Sequence, residues 1–445
     1  MTKVTIQDIV KAQLCTGCGV CVSESIETGK MIWNNQGFLV PSFEEENFAV
    51  RVCPFNTKPD EVVKDEDALA KLFLTTTTKK DEKVGKYVNS YVGYSYKYRP
   101  TSSSGGIATY IFETLLQQKI VDHLFIVKEV NGTYEYSLFS NAEQILKISK
   151  TRYIPVTLEK LFTEINKIDG RIAVSGISCF IKAIRLKQHY HPELKDKIPF
   201  LIGIICGGLK SRFFTDYLAQ SAGIQNKYLN QEYRIKDAES TASNYSFGAF
   251  DEENVYHQMK MRTVGDMWGT GLFKSNACDF CDDVTTELAD ISLGDAWISP
   301  YNSEGLGNSV MVTRSELAEN LIRVGIQNKE LHVETLPIDH FIASQAASFK
   351  HRQLGMKYRL NLFKKKSATI PYKRKRFLQS IPFEYQWVQK QRMLLRKESL
   401  IAWQNVPESL AFQNAIQPGK SKLITLTRFY HRMQKLRRIL KLKTI

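Results

Sequence analysis

Eight cysteines carry the chemistry open to this chain, and they fall into two groups of four. Cys15, Cys18 and Cys21 are separated by two-residue gaps, and Cys53 follows, directly ahead of Pro54. Such gaps let a tight turn aim successive thiolates at the corners of one iron–sulfur cube, and Gly17 and Gly19 let the backbone wrap it closely. A fourth ligand carried on Cys-Pro completes the pattern of a single bacterial-type [4Fe–4S] cluster. Zinc favours two Cys-x2-Cys knuckles instead. Disulfides are rare in the reducing, cytoplasmic setting expected from a start, Met1 to Val10, that holds Lys, Asp and Gln and no apolar segment.

The second group, Cys179, Cys206, Cys278 and Cys281, is scattered along the chain. Only Cys278-Asp-Phe-Cys281 has ligand spacing of its own, so spacing alone leaves a second cluster, a zinc site and inert core cysteines all open.

The elements that must position these thiols can be read from the hydrophobic pattern. A length of 445 residues suggests two or three domains, and 43% apolar content suffices for a sizeable core. The longest apolar run, Phe200 to Cys206, is too short to span a bilayer, so a soluble protein is expected. Strands are expected at Val121 to Val127, Arg171 to Ser175, Ile198 to Cys206, Ile291 to Gly294 and Ser309 to Val312. Helices are expected at Ile107 to Gln118, Leu158 to Ile165, Phe180 to His189, Arg212 to Ala222 and Glu316 to Ile326. This alternation predicts an α/β main domain with a mostly parallel or mixed sheet. A small ferredoxin-like [4Fe–4S] module precedes it and a basic, mainly helical tail follows. The expected boundaries are 1–60 for the module, 61–87 for a polar connector, 88–345 for the body and 346–445 for the tail.

Three features of the body bear on function. Ser103, Ser104, Gly105 and Gly106 precede the expected helix at Ile107. Free backbone N–H groups and the helix dipole at such a terminus suit a pyrophosphate or flavin phosphate, though Ser and Gly also serve as ordinary cap and turn residues. Cys179 and Cys206 fall at strand ends, where α/β proteins place their chemistry. Lys182 lies three residues after Cys179, where a cation could stabilise a reduced, anionic cofactor or simply belong to a solvated helix face. Cys278-x2-Cys281 leads into Ala289-Asp290-Ile291 and Gly294-Asp295-Ala296-Trp297.

Together, these pieces resemble the family of deazaflavin-coenzyme (F-420) hydrogenase/dehydrogenase beta subunits. The Ser103 to Gly106 turn, Gly176-Ile-Ser-Cys179, Ile204-Ile-Cys206-Gly-Gly and Cys278 to Trp297 run in family order across residues 15 to about 315. Ser178 stands where the family often has Pro, and Phe180 where Gln is usual, which puts the substrate in doubt. The resemblance implies FAD on the α/β body, with the Ser103, Ser104, Gly105 and Gly106 turn as its contact; Lys182 stands beside them as a candidate cofactor contact from its spacing after Cys179. It also implies two [4Fe–4S] clusters, the second held by Cys179, Cys206, Cys278 and Cys281. The implied function is an FAD-dependent iron–sulfur oxidoreductase passing single electrons from ferredoxin, or another low-potential donor, to a small organic or glycan-related substrate. The alternatives are a non-catalytic electron-transfer subunit of a larger complex, or an adaptor at a membrane surface. Tyr153, Lys182 and His189 are candidate proton donors without a distinguishing spacing.

Net charge is +15, yet residues 351 to 445 hold 23 Lys and Arg against three acids, about +20. Across Leu426 to Leu442 apolar residues recur at helical spacing with Arg and Lys between them. Such a helix can lie on an anionic inner membrane face as a peripheral contact, dock an acidic partner such as ferredoxin, or pack with a charged outer face. No recognition motif accompanies the charge, so nucleic acid is not an expected partner.

Overall fold

The computed structural model describes residues 4–24 and 29–440. At its centre is an eight-stranded sheet of β1 (Asn89–Ser95), β2 (His123–Val130), β3 (Thr133–Phe139), β4 (Ile172–Ile177), β5 (Phe200–Ile204), β6 (Ile291–Asp295), β7 (Ser309–Thr313) and β8 (Leu331–Thr335). Their spatial order is β8-β1-β7-β6-β5-β4-β2-β3. β2, β4, β5 and β6 run parallel to one another. The four remaining pairings, toward both edges, are antiparallel. The sheet is therefore mixed, one of the two arrangements that the alternation allowed, with its parallel strands at the centre.

The central strands are apolar on both faces, as strands covered by helices on each side must be. Along β4, Ile172 and Val174 pack with the helix α2 (Ser178–Tyr190), while Ala173 faces the opposite core under α1 (Ile107–Gln117). Along β5, Leu201 joins the first core, and Phe200 and Ile202 join the second. The strand period of two thus builds two cores from one ribbon.

The N-terminal segment starts on helix Ile6–Lys11, whose Thr5 and Asp8 form a reciprocal capping box. A two-stranded ribbon, Lys30–Trp33 with Leu39–Ser42, follows. The polar stretch expected as a connector is ordered in part: Glu66–Phe73 is helical, and Lys79–Asp81 pairs with Gly85–Tyr87. Lys79 and Lys80, within that connector, thus sit in a short strand.

Past the sheet the chain is mainly helical, with a largely irregular stretch at 367–382, and it ends in a hairpin of α3 (Phe383–Asn405) and α4 (Ser409–Ile439). The pairs Trp403–Phe412, Tyr385–Tyr430 and Trp387–Phe429 fix its antiparallel register. Lys441 and Leu442, the last positions of the expected amphipathic stretch, lie outside the described residues. The tail is no solvated appendage. Arg374 and Arg396 are buried counter-ions to acids of the body, and the buried Arg352 and Arg359 donate to its carbonyls, so part of the C-terminal charge excess lies in the interior.

Candidate functional site

Cys15, Cys18, Cys21 and Cys53 line one small apolar pocket with Ile6, Ile9, Leu14, Val52 and Phe55. Gly19 takes φ +76°, and a Cβ there would collide with the Thr157 hydroxyl, so the turn between Cys18 and Cys21 requires glycine. Gly17 N–H donates to Cys15 Sγ at 3.4 Å. Burial, with repulsion from Cys18, pushes the Cys15 thiol up to about 12; Cys21 is raised by burial and then by Cys18, Cys15 and Cys53. Four such thiols hold their protons unless positive charge enters among them, which is what iron supplies to cluster thiolates.

The second group also converges, although its members come from three separate places in the fold. Cys179 occupies the first turn of α2 directly after β4, Cys206 follows β5, and Cys278 and Cys281 lie in and just after a short helical turn, Asn276–Phe280, ahead of β6. The Cys179 thiol is raised first by burial and then by Cys281, Cys278, Cys206 and, from the other group, Cys18. Cys18, Cys21, Cys53 and Cys179 border one core. The two quartets are thus neighbours. N–H groups point at this sulfur set as well: Gly208 donates to Cys206 Sγ at 3.3 Å and Leu209 to Cys278 Sγ at 3.2 Å. Arg352, from the tail, donates to Asp283 O at 2.9 Å and to Cys206 O, and stands 3.7 Å from Cys281 Sγ. Among the described residues no three His, Cys, Asp or Glu side chains close on a single ion. A cubane spreads its thiolates around a wider cage than one ion does.

Beside the second quartet lies a cavity of about 650 Å³. It opens at the carboxyl ends of the parallel strands, bordered by Ile177, Ile204 and Asp295, the position at which α/β sheets bind ligands. Ser102, Ser103, Ser104 and Gly106 border it at the start of α1, and Cys206 stands in its wall, so cavity and quartet share a residue. Gly106, at φ +80°, begins α1 without any side-chain cap, which leaves the first-turn amides free for an anion. A Cβ at Gly106 would come within 2.6 Å of the Tyr98 carbonyl carbon, so no other residue makes that turn unstrained.

The lining is aromatic and cationic. Tyr153, Tyr245, Trp268 and Trp297 are joined there by Lys150, Arg152, Lys210 and Arg234, with Asp295 as the carboxylate. Arg234 pairs with Asp295 and lies over the Trp297 ring at 5.2 Å, and its buried Nε has no partner. Lys210 donates to Met267 O at 2.7 Å and Leu272 O at 2.6 Å; burial and the nearby Lys274 push its ammonium down to about 7. Lys236 donates to Ser104 O at 2.7 Å, behind the serine turn, and burial with Arg99 brings it to about 7 as well.

Two residues expected at a flavin stand elsewhere. Lys182 does not line the cavity: its ammonium pairs with Glu66 at 3.0 Å in a buried network that includes Arg374 and Asp282. The physical reason is its place on α2, which packs on the Glu66–Phe73 helix. Gly105 does not line it either; a Cβ there would meet Gly93 O at 2.6 Å and Ser309 N at 2.7 Å, so it serves close packing. Of the candidate proton donors, Tyr153 lines the cavity, with its phenol raised by burial, while His189 packs edge-on to Tyr190 away from it. Phe180 lines the cavity, and Ser178 Oγ donates to Asp283 O at 3.1 Å, tying α2 to the cysteine loop. Arg234, Lys210, Trp268 and the segment Ala343 to Ser348, which completes the cavity, had no signal in the sequence: Arg234 comes from a strand outside the central sheet, Lys210 and Trp268 from loops, and Ala343 to Ser348 from the short helices after β8, and only the fold brings them together.

Fold and site together define an α/β chain with two adjacent thiol quartets, one of them opening on a ligand cavity. Residues 90–163 match the N-terminal model and residues 169–338 the C-terminal model of the coenzyme F420 hydrogenase/dehydrogenase beta subunit, and the chain belongs to that family. It is 24% identical over 226 residues, 49% of this chain and 61% of the relative, to an F(420)H(2) dehydrogenase subunit of Methanosarcina mazei. It is 23% identical over 240 residues, 51% of this chain and 35% of the relative, to the coenzyme F420-dependent sulfite reductase of Methanocaldococcus jannaschii. The chain therefore spans less than two thirds of either relative. A chain in a solved structure of the F420-reducing [NiFe] hydrogenase complex from Methanosarcina barkeri is similar at TM-score 0.49 and 19% identity, over 66% of this chain and all of that one.

Proposed function

We propose that this protein is an electron-transfer module of an oxidoreductase complex, with a [4Fe–4S] cluster in each thiol quartet and a flavin, FAD by family resemblance, in the cavity. The observation that carries the reading is the shared residue Cys206, which belongs to the second quartet and to the cavity wall at once. When bound, cubanes exchange single electrons and a flavin exchanges one or two, which allows one-electron and two-electron partners to be joined.

The residues fit these groups. Cys15, Cys18, Cys21 and Cys53 would hold the first cluster, in a ferredoxin-like N-terminal module. Cys179, Cys206, Cys278 and Cys281 would hold the second, with Gly208 and Leu209 N–H groups lowering the cost of charge on sulfur. A cavity of about 650 Å³ lies within the usual range of ligand pockets. The uncapped start of α1 and the Ser102 to Ser104 turn would take the pyrophosphate, while Tyr153, Trp268 and Lys210 border the remainder.

Among the readings drawn from sequence, relatives named as a dehydrogenase subunit and as a longer reductase favour the module over a free-standing reductase of a glycan-related substrate. The test is anaerobic mixing of the purified chain with reduced ferredoxin and, separately, with reduced coenzyme F420. Reduction of flavin and clusters, read as absorbance loss without sustained turnover, supports the module. Sustained reduction of a small substrate by the chain alone would return the free-standing enzyme.

A further inference from the structure

The far end of the C-terminal hairpin carries an exposed apolar surface that the fold does not use. Phe383, Trp387 and Phe429 are 49%, 46% and 37% exposed, yet they cluster, Phe383 to Trp387 at 5.1 Å and Trp387 to Phe429 at 6.0 Å between ring centroids. From Phe429 the surface continues along α4 through Met433, Leu436 and Leu440, spaced i, i+4, i+7 and i+11, which places them on one stripe of the helix. Leu436 and Leu440 are 49% and 64% exposed. A monomer that buries Trp403, Phe412 and Tyr430 in the same hairpin gains nothing by leaving these rings in water.

The charge beside the stripe points to its occupant. Arg437 is held by an ion pair with Glu384. Arg428, Arg432 and Lys435 stand exposed along one flank of the stripe. A linear band of aromatic and aliphatic side chains with a row of cations at its edge matches the boundary between acyl chains and anionic headgroups: rings enter the interface while Lys and Arg reach phosphates. No described helix is long and apolar enough to cross a membrane, so the contact would be peripheral. The hairpin also lies beyond residue 338, where the family match ends.

We propose that the end of the α3–α4 hairpin is a docking surface for an anionic lipid bilayer, holding the electron-transfer body against the membrane face. The test is co-sedimentation of the full chain with vesicles of phosphatidylcholine alone and of phosphatidylcholine and phosphatidylglycerol in equal parts. The expected result is pelleting with the anionic vesicles at least about tenfold above the neutral ones, declining as salt is raised. Trp387→Glu with Phe429→Glu is expected to lower the anionic binding by a factor of about ten or more. The triple variant Arg428→Gln, Arg432→Gln, Lys435→Gln, confined to exposed side chains, is expected to remove the preference for anionic lipid. Failure to pellet, equal binding to both vesicles, or binding unchanged in the triple variant would overturn the proposal; retention on an acidic protein without vesicle binding would overturn it in favour of a protein partner.

Discussion

The two thiol quartets reach a similar local arrangement by opposite routes. In the first, three of four sulfurs come from one short turn, wrapped by glycines and closed by Cys53. In the second, Cys179, Cys206 and the Cys278–Cys281 turn are delivered by three elements around the ends of β4, β5 and β6, and a tail arginine, Arg352, ties two of them together. A local site depends on its own loop. A site assembled by topology depends on the whole body, and its loss is felt by whatever else the body positions.

The largest expected effect tests this asymmetry. Cys281→Ser and Cys206→Ser should each remove about four irons and also lower flavin content, because Cys206 is part of the cavity wall. Cys18→Ser should remove about four irons and leave flavin unchanged. Iron, sulfide and flavin determinations on the variants check this, and equal flavin retention in all three would erase the distinction.

Next in size is the buried ion network that fastens the tail to the body. Arg374 donates to Glu287 at 2.7 and 2.8 Å and to Asp282 at 3.0 Å. Arg374→Met should cost about 3–5 kcal/mol, since it removes the shortest ion pairs of two buried carboxylates and leaves them only the longer contacts to Lys373 and Arg376. Lys182→Met should lower Tm by leaving the buried Glu66 with only its longer contact to Arg374, while the flavin-to-protein ratio stays intact, which separates a structural lysine from a cofactor contact. Thermal unfolding followed by circular dichroism reads both.

The smallest effect concerns pH. An ordinary lysine keeps its charge to about pH 10. Lys210 and Lys236 are pushed down to about 7, so their ammonium charge, which favours an anion in the cavity, is present below that pH and lost above it. Affinity for a pyrophosphate-bearing nucleotide should therefore fall as pH rises through about 7. Lys236→Met should flatten part of that profile in a binding titration.

The contrast between local and assembled sites also explains what the sequence discloses. The strands and helices expected from apolar periodicity all occur, with ends displaced by a few residues. Those expected strands, β2, β4, β5, β6 and β7, form the inner run of the sheet, where continuous apolar stretches mark them. The other three carry a diluted pattern: β1 and β3 mix tyrosine and serine into the run, and β8 exposes His332, Glu334 and Thr335. Cysteine spacing exposed the first quartet directly. The second could be grouped only through family order, because convergence of Cys179, Cys206 and Cys281 is a property of strand order. Lys182 misled because helical spacing from Cys179 says which side chains share a face, not that Glu66 will arrive from another helix to claim the ammonium.

Iron, acid-labile sulfide and flavin content per chain, measured after strictly anaerobic purification, bears on both quartets and the cavity at once. Two cubane quartets beside one flavin cavity predict about eight irons, about eight sulfides and one flavin. About four irons without flavin would confine the clusters to the N-terminal quartet and contradict the coupling of the second quartet to the cavity.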